Sequence, residues 1–413
     1  MEQPLHMRPR IGRALGIVTL AALATYGSCV LPVFYEELKA YFGIGSGAYG
    51  LMLSIGSLGS VMAALAGGVL VDRRGPRRVI RWCLLGLGAS LALMALCGRV
   101  WALMAAGIGV AALFQSTCYL AVNAYLVRDF PDNKRRMLAL SSVAASAAGI
   151  VFPLLGEGLL TLKSEVPAVN FSLTLHVPFA VLALALLTAG VVLRTDDRRQ
   201  ELQAAARPWT WRDVRLPWRT LALVLLAALH AAVDTTLFLW MPGYLLSGAF
   251  AEQSMRPGWV LSAYGAAYLV SRVALMFVRE STGRRAFLVL PGLLGGGTMI
   301  AGLLSRDYTT TAVCYVLGGL LWSVEFPTIL SLIAEESGPR FGTAGAMVSL
   351  GMAVGTFLLL NQTGWLVGRL GPETMWMAML IPALGFPGFA LGAAAWLWIY
   401  RSRRPQAPPA DLP

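Results

Sequence analysis

The feature that most constrains this chain is a series of apolar runs long enough to cross a membrane. Hydrophobic residues make up 57% of the 413 residues and charged residues only 13%, against roughly 25% charged residues in average soluble proteins. A helix of about twenty residues crosses the hydrocarbon core of a bilayer. Because lipid offers no partner to backbone N–H and C=O groups, open spans must be helical. The sequence therefore predicts an all-α membrane protein.

We place twelve spans in the sequence, in two groups of six. They cover 12–34, 47–71, 79–98, 101–127, 137–160, 172–193, 220–246, 258–279, 286–304, 309–333, 342–368 and 375–400. The grouping predicts an N-terminal six-helix bundle at 1–193, a cytoplasmic linker at 194–219 and a C-terminal six-helix bundle at 220–413. Two related six-helix halves are the architecture of many secondary transporters.

The distribution of lysine and arginine sets the orientation of the spans. With the N-terminus inside, 26 of the 33 basic residues fall in inside segments, six in outside loops, and Arg272 within a span. This bias predicts that both termini are cytoplasmic, in the inner membrane of a bacterium. A net charge of +12 would suggest nucleic acid in a soluble protein, but here the arginines lie at span ends. We therefore expect no nucleic-acid partner, but a membrane-embedded monomer whose partners are lipid, a small-molecule substrate and H⁺.

The inside turn between spans two and three reads GGVLVDRRGPRR, residues 67–78. It resembles the signature of the major facilitator superfamily, in which a glycine precedes Asp-Arg-x-Gly-x-x-Arg by four or five positions. The resemblance covers about residues 12–400. It implies two bundles around a central cavity that is lined by spans one, four, seven and ten. Spans two, five, eight and eleven would form the interface between the halves.

The resemblance also implies that this turn is a gating latch between the halves. Asp72 is expected to meet the N-terminus of span eleven, where the helix dipole favours an anion. Arg73 and either Arg77 or Arg78 are expected to reach acids across the inside face, and Gly68 to allow close packing. The predicted gating set is Gly68, Asp72, Arg73, Gly75, Arg77 and Arg78.

Weaker likenesses concern the substrate. Residues 128–149 are similar to the loop between helices four and five of monocarboxylate and oxalate–formate type carriers, in which Arg272 also has a counterpart. Residues 322–337 resemble the helix-ten segment of fucose-permease-like carriers. Residues 149–158 look like a degraded form of the glycine–proline motif of drug/proton antiporters, which argues against multidrug efflux. An organic anion and a sugar both stay open as substrates.

Charged side chains inside the spans are functional candidates, because a charge at the bilayer centre costs about 3 kcal/mol on insertion scales. Asp234 lies near the middle of span seven, and His230 lies one turn away on the same face. This pair could carry a proton, hold a polar substrate or clamp two helices. Glu325 lies near the middle of span ten, where Pro327 should weaken the helix. Arg272 could bind an anionic substrate through two hydrogen bonds, neutralise Asp234, or form a static bridge with Glu325.

The N-terminal half offers neutral polar side chains instead. Gln115, Tyr119 and Asn123 share one face of span four, and Tyr26 lies in span one. The predicted substrate-binding set is Tyr26, Gln115, Tyr119, Asn123, His230, Asp234, Arg272 and Glu325, with Asp234 and Glu325 also coupling protons. Glu157, near the outer end of span five, is expected to be a solvated helix end, with a gate residue as the alternative.

These features predict a secondary active transporter that moves a small polar solute by proton-coupled alternating access. An efflux antiporter is the alternative, and a non-transporting sensor or scaffold is the alternative from another class. An enzyme is not expected, because the three histidines, His6, His176 and His230, lie far apart in the topology. We expect no cofactor or metal, since the five cysteines lie in apolar runs without metal-ligand spacing.

Overall fold

The computed structural model describes residues 8–130, 134–193, 216–247, 250, 256–277, 284–337 and 341–401. All regular structure in these residues is helical. Ten described segments are long and apolar enough to cross a membrane. The predicted all-α membrane fold is confirmed, whereas the number of twelve spans stays a prediction.

The first half of the chain contains eight described helices. They are α1 Arg8–Leu23, α2 Tyr26–Val30, α3 Tyr35–Phe42, α4 Ser46–Arg74, α5 Pro76–Leu96, α6 Trp101–Asp129, α7 Lys134–Glu165 and α8 Phe171–Val192. Within this half, α4 packs on α6, and α5 packs on both α6 and α8.

The second half contains seven described helices and one 3-10 turn at Pro372–Thr374. They are α9 Trp218–Leu245, α10 Pro257–Phe277, α11 Arg284–Ser305, α12 Tyr308–Trp322, α13 Glu325–Ser337, α14 Phe341–Leu370 and α15 Met375–Arg401. Here α9 packs on α14 and α15, and α11 packs on α12 and α15.

Two of the predicted spans are interrupted helices. Span one consists of α1 and α2, which are separated at Ala24 and Thr25. Span ten consists of α12 and α13, which are separated at Ser323 and Val324, so Glu325 begins α13 and Pro327 lies in its first turn. A proline is tolerated there because the first N–H groups of a helix have no intrahelical acceptor. Interrupted helices often line the binding sites of transporters, and the local weakening expected near Pro327 is present.

The turn at 67–78 has a geometry that its sequence explains. Gly75 joins α4 to α5 with φ +79°, a left-handed backbone that glycine adopts without steric cost. Pro76 begins α5, a position that its fixed φ suits. The chain therefore leaves one helix and enters the next within a single residue.

Hydrogen bonds and ring contacts join the two halves from the middle of the helices to one end. We call this end outer, and we call inner the end where α4 finishes at Arg74, which the charge distribution assigns to the cytoplasm. At the outer end, Gly50 and Gly364 bring α4 and α14 together, because a Cβ on either would lie 3.1 Å from the Cα of the other. Asn361 donates to Ser54 Oγ at 2.7 Å across the same contact. The halves are thus joined at their outer ends.

Helix α4 offers a matched test of glycine packing. A Cβ on Gly59 would overlap the backbone of Gly109 on α6, whereas a Cβ on Gly68 would meet no atom within 4 Å. Gly59→Ala should therefore destabilise the protein by roughly 1–3 kcal/mol through overpacking, and Gly68→Ala should not. The melting temperature of the purified variants measures both effects. Equal melting temperatures would contradict the close approach of α4 and α6.

Candidate functional site

Asp234, on α9, is partly exposed and is surrounded by neutral hydrogen-bond donors. Tyr264, on α10, donates its hydroxyl to Asp234 Oδ1 in a short hydrogen bond. Trp322 Nε1, at the end of α12, lies 3.1 Å from the same oxygen and 2.8 Å from the hydroxyl oxygen of Tyr268. We call Asp234, Tyr264, Tyr268 and Trp322 the carboxylate cluster. Three helices therefore supply one mid-membrane carboxylate and its donors.

Arg272 lies one turn beyond Tyr268 on α10 and borders this cluster. Its guanidinium carbon lies 5.0 Å from the centre of the Tyr268 ring, the geometry of a cation–π contact. Its Nε is buried without a hydrogen-bond partner. Among the described residues no carboxylate forms an ion pair with Arg272, so the static bridge to Glu325 is wrong.

Glu325 pairs with His230 instead. His230 Nδ1 lies 2.9 Å from Glu325 Oε2, and both side chains are almost completely buried. Glu325 Oε1 has no hydrogen-bond partner in the described part of the chain. The rings of Phe386 and Phe389, on α15, contact the imidazole at centroid distances of 5.5 and 5.3 Å. His230 and Asp234 therefore do not share one site as expected. His230 bonds to α13, whereas Asp234 bonds to α10 and α12.

The four predicted residues of the first half do not form one cluster. The hydroxyl of Tyr26 is buried without a partner, and its ring packs edge-on against Phe152 and Phe179. On α6, Gln115 is partly exposed, Tyr119 is 49% exposed and Asn123 Oδ1 is buried without a partner. No described hydrogen bond joins these residues to those of the second half. Their role in binding stays a prediction.

Aromatic rings close the outer end above the site. Trp240, on α9, packs against Tyr35 and Tyr49 of the first half, with centroid distances of 5.8 and 5.7 Å. The Tyr35 hydroxyl lies 3.0 Å from Ser46 Oγ. Tyr35 belongs to α3, outside the spans, and burial raises the pKa of its phenol. This ring cluster contains only neutral side chains.

Glu157 makes a second outer contact between the halves. The carboxylate is 6% exposed and accepts a hydrogen bond from the backbone N–H of Gly258 at 3.0 Å. Gly258 is the second residue of α10, so the carboxylate caps a helix N-terminus, where the dipole favours an anion. Arg256 Nε lies 3.9 Å from the same carboxylate. The expected solvated helix end is wrong, because α10 of the other half covers Glu157.

The structure describes part of the predicted inner latch. Arg77 pairs with Asp129 of the same half at 2.5 Å. Arg73 is exposed, and nothing lies within 4 Å of a Cβ placed on Gly68. The side chain of Asp72 lies outside the described residues. The gating roles of these residues and of Gly75 and Arg78 stay a prediction.

The fold and the site define a polytopic all-α membrane protein, closed at its outer end around polar groups at mid-membrane depth. The model of the Major Facilitator Superfamily matches residues 15–255, more than half of the chain. The chain belongs to this family, as the turn at 67–78 indicated. The relatives below are transporters and not enzymes.

Two curated relatives match parts of the chain. The 3-(3-hydroxy-phenyl)propionate transporter of Escherichia coli (strain K12) is 26% identical over 173 residues, which is 41% of this chain and 42% of the relative. Human solute carrier family 2, facilitated glucose transporter member 12, is 27% identical over 154 residues, 35% of this chain and 24% of the relative. These matches span less than half of either relative.

Solved structures match nearly the whole chain. A bacterial homolog of the human lysosomal transporter Spinster, crystallised in an inward-facing and occupied conformation, is 14% identical with a TM-score of 0.69, covering 97% of this chain and 99% of its own. The nucleoside transporter NupG, crystallised as a point mutant, is 15% identical with a TM-score of 0.70, covering 93% and 98%. At such identities the likeness shows the fold alone.

Sequence reasoning found the charges of the site but missed the donors. Tyr264, Tyr268 and Trp322 lie in apolar helices, where aromatic residues usually belong to the core. The available signal was a tyrosine pair at i and i+4, with Arg272 a further four residues on. That spacing places the three side chains on one face of α10.

The pair of His230 and Glu325 can be tested by a double-mutant cycle. His230→Leu or Glu325→Met alone leaves a buried polar partner unsatisfied and should cost about 3 kcal/mol. The double variant removes both polar groups in apolar surroundings and should recover most of that loss. Melting temperatures of the four purified proteins give the coupling. Additive losses would contradict a pair that acts as a unit.

Proposed function

We propose that this protein is a secondary active transporter that moves a small organic anion by proton-coupled alternating access. The observation that carries the proposal is a closed outer end that covers a polar cluster at mid-membrane depth. Ring, glycine and Glu157 contacts between the halves close this outer end. A polar cluster at mid-membrane depth lies below this closure. Such a site is reached from one side at a time if the halves rock.

Arg272 supports an organic anion as substrate. Its cation is not paired with a described carboxylate, and its Nε is buried without a partner. A bound carboxylate would supply the missing acceptor in a charge-assisted hydrogen bond. The Tyr268 ring contacts the guanidinium in a cation–π geometry. The name of one relative, a 3-(3-hydroxy-phenyl)propionate transporter, agrees with a carboxylate substrate.

A sugar is the second candidate, favoured by the polar face of α6. Gln115, Tyr119 and Asn123 offer neutral donors and acceptors, and Asn123 Oδ1 is buried without a partner. The other curated relative is named a facilitated glucose transporter. Hydroxyl groups of a sugar would satisfy these atoms without requiring Arg272.

A ligand screen separates the two substrate classes. A ligand at about 100 times its dissociation constant stabilises the folded state by roughly 2.7 kcal/mol. We expect 3-(3-hydroxyphenyl)propionate to raise the melting temperature of the purified protein, and D-glucose to leave it unchanged. Arg272→Gln should abolish the shift, whereas Arg306→Gln, at the outer end beside Trp376, should retain it.

The reverse pattern, a shift with glucose that Arg272→Gln retains, would establish the sugar. If a panel of carboxylates and sugars gave no shift, the proposed substrate classes would both be wrong. Because the Arg306→Gln control also removes one arginine, a general effect of net charge would change both variants alike.

Proton coupling is assigned to Asp234, because its carboxyl is partly exposed and its described partners are uncharged donors. In proteoliposomes with an inward-directed proton gradient, Asp234→Asn should abolish accumulation of the stabilising ligand. Exchange of labelled for unlabelled ligand should persist, since no net proton movement is needed. The exposed Glu373→Gln serves as the matched control. Uphill uptake by Asp234→Asn would exclude Asp234 as the coupling site.

A further inference from the structure

A basic surface groove lies at the inner end of α4, outside the transport site. It has a volume of about 400 Å³ and is lined by Leu65, Ala66, Leu70, Arg73 and Arg74. This volume lies within the range of roughly 300–1,000 Å³ that is typical of ligand sites. The groove is therefore large enough to hold part of a lipid molecule.

The two arginines of the groove have no described acidic partner. Arg73 and Arg74 are both exposed, and neither forms an ion pair with a described carboxylate. Arg74 instead lies over the ring of Trp82, on α5, with its guanidinium carbon 5.7 Å from the ring centre. Two adjacent guanidinium groups with free donors match a phosphate group, which accepts hydrogen bonds from both.

An apolar stripe continues from the arginines toward the membrane centre. Leu58, Met62, Leu65 and Leu70 are 47%, 56%, 61% and 36% exposed. From Arg74 to Leu65 the helix rises roughly 13 Å, so the stripe starts at the membrane surface and ends deep in the hydrocarbon. Trp82, 38% exposed, marks the boundary, since tryptophan is enriched at membrane interfaces.

We infer that this groove is a binding site for an anionic phospholipid of the inner leaflet. The phosphate lies between Arg73 and Arg74, and one acyl chain lies along Leu70 and Leu65. The combination favours a lipid over a soluble phosphate, because only a lipid covers both the cations and the leucines. Charge complementarity favours an anionic headgroup over a zwitterionic one, since the zwitterion brings its own cation.

Trp82 provides a local probe, because bromine on an acyl chain quenches a nearby indole. The full-length protein is placed in phosphatidylcholine nanodiscs that contain a minor fraction of brominated phosphatidylglycerol. The same fraction of brominated phosphatidylcholine is the reference. Subtracting the signal of Trp82→Phe isolates the quenching at the groove. Quenching by brominated phosphatidylglycerol should exceed the reference, and high salt should reduce the excess.

The double variant Arg73→Gln/Arg74→Gln should lose the excess quenching, with apparent affinity falling roughly thirtyfold. Arg369→Gln is the matched control, because Arg369 also lies over an exposed tryptophan, Trp365, at 4.7 Å, but at the outer end. It should retain the excess. Two results would overturn the inference: equal quenching by both brominated lipids, or an excess that survives in the double variant. Competition by inorganic phosphate as strong as that by phosphatidylglycerol would show that the acyl chain is not recognised.

Discussion

A carboxylate within the hydrocarbon core must be surrounded by hydrogen-bond donors, and this constraint orients three helices of the second half. Asp234 accepts from Tyr264, and Trp322 Nε1 lies within hydrogen-bond distance of both groups. Because these side chains come from α9, α10 and α12, the rotation of three helices about their axes is set by one acceptor. The helix α12 ends at Trp322, whose indole lies 3.1 Å from Asp234 Oδ1. The break between α12 and α13 therefore lies directly next to the carboxylate cluster.

Hydropathy was sufficient to predict the helices, because a membrane forces apolar length and internal hydrogen bonding on every span, and the motif at 67–78 was sufficient to predict the family. Hydropathy was not sufficient to pair the side chains. A helix that is apolar on all sides gives no periodic signal of which face meets protein. Asp234 and Glu325 were therefore found as charges, but the partners of Asp234 were missed, and Arg272 was considered as a partner of Glu325 where His230 is the observed one. Glu157 was misjudged for the same reason, since nothing local to α7 shows that Gly258 covers it.

The two ends of the molecule achieve contact in different ways. At the outer end α4 approaches α14 closely at Gly50 and Gly364, because glycine has no side chain. Glu157 then adds one charge where the N-terminus of α10 can accept it. At the inner end the arginines that the sequence assigned to a latch lie in the first half, and Arg77 bonds to Asp129 there. This ion pair lies within one half, whereas the outer contacts join the two halves.

The two carboxyl groups at mid-membrane depth differ in their access to solvent. Asp234 is partly exposed, so it is the more accessible of the two carboxyl groups. Glu325 is completely buried and bonds to His230, so a proton can reach it only through the imidazole or after the helices separate. The break between α12 and α13 lies between Trp322 and Glu325. Any movement at the break therefore acts on Glu325 and on Trp322, the hydrogen-bond partner of Asp234. The surroundings of the accessible carboxyl and of the enclosed one therefore both depend on the backbone of Ser323 and Val324.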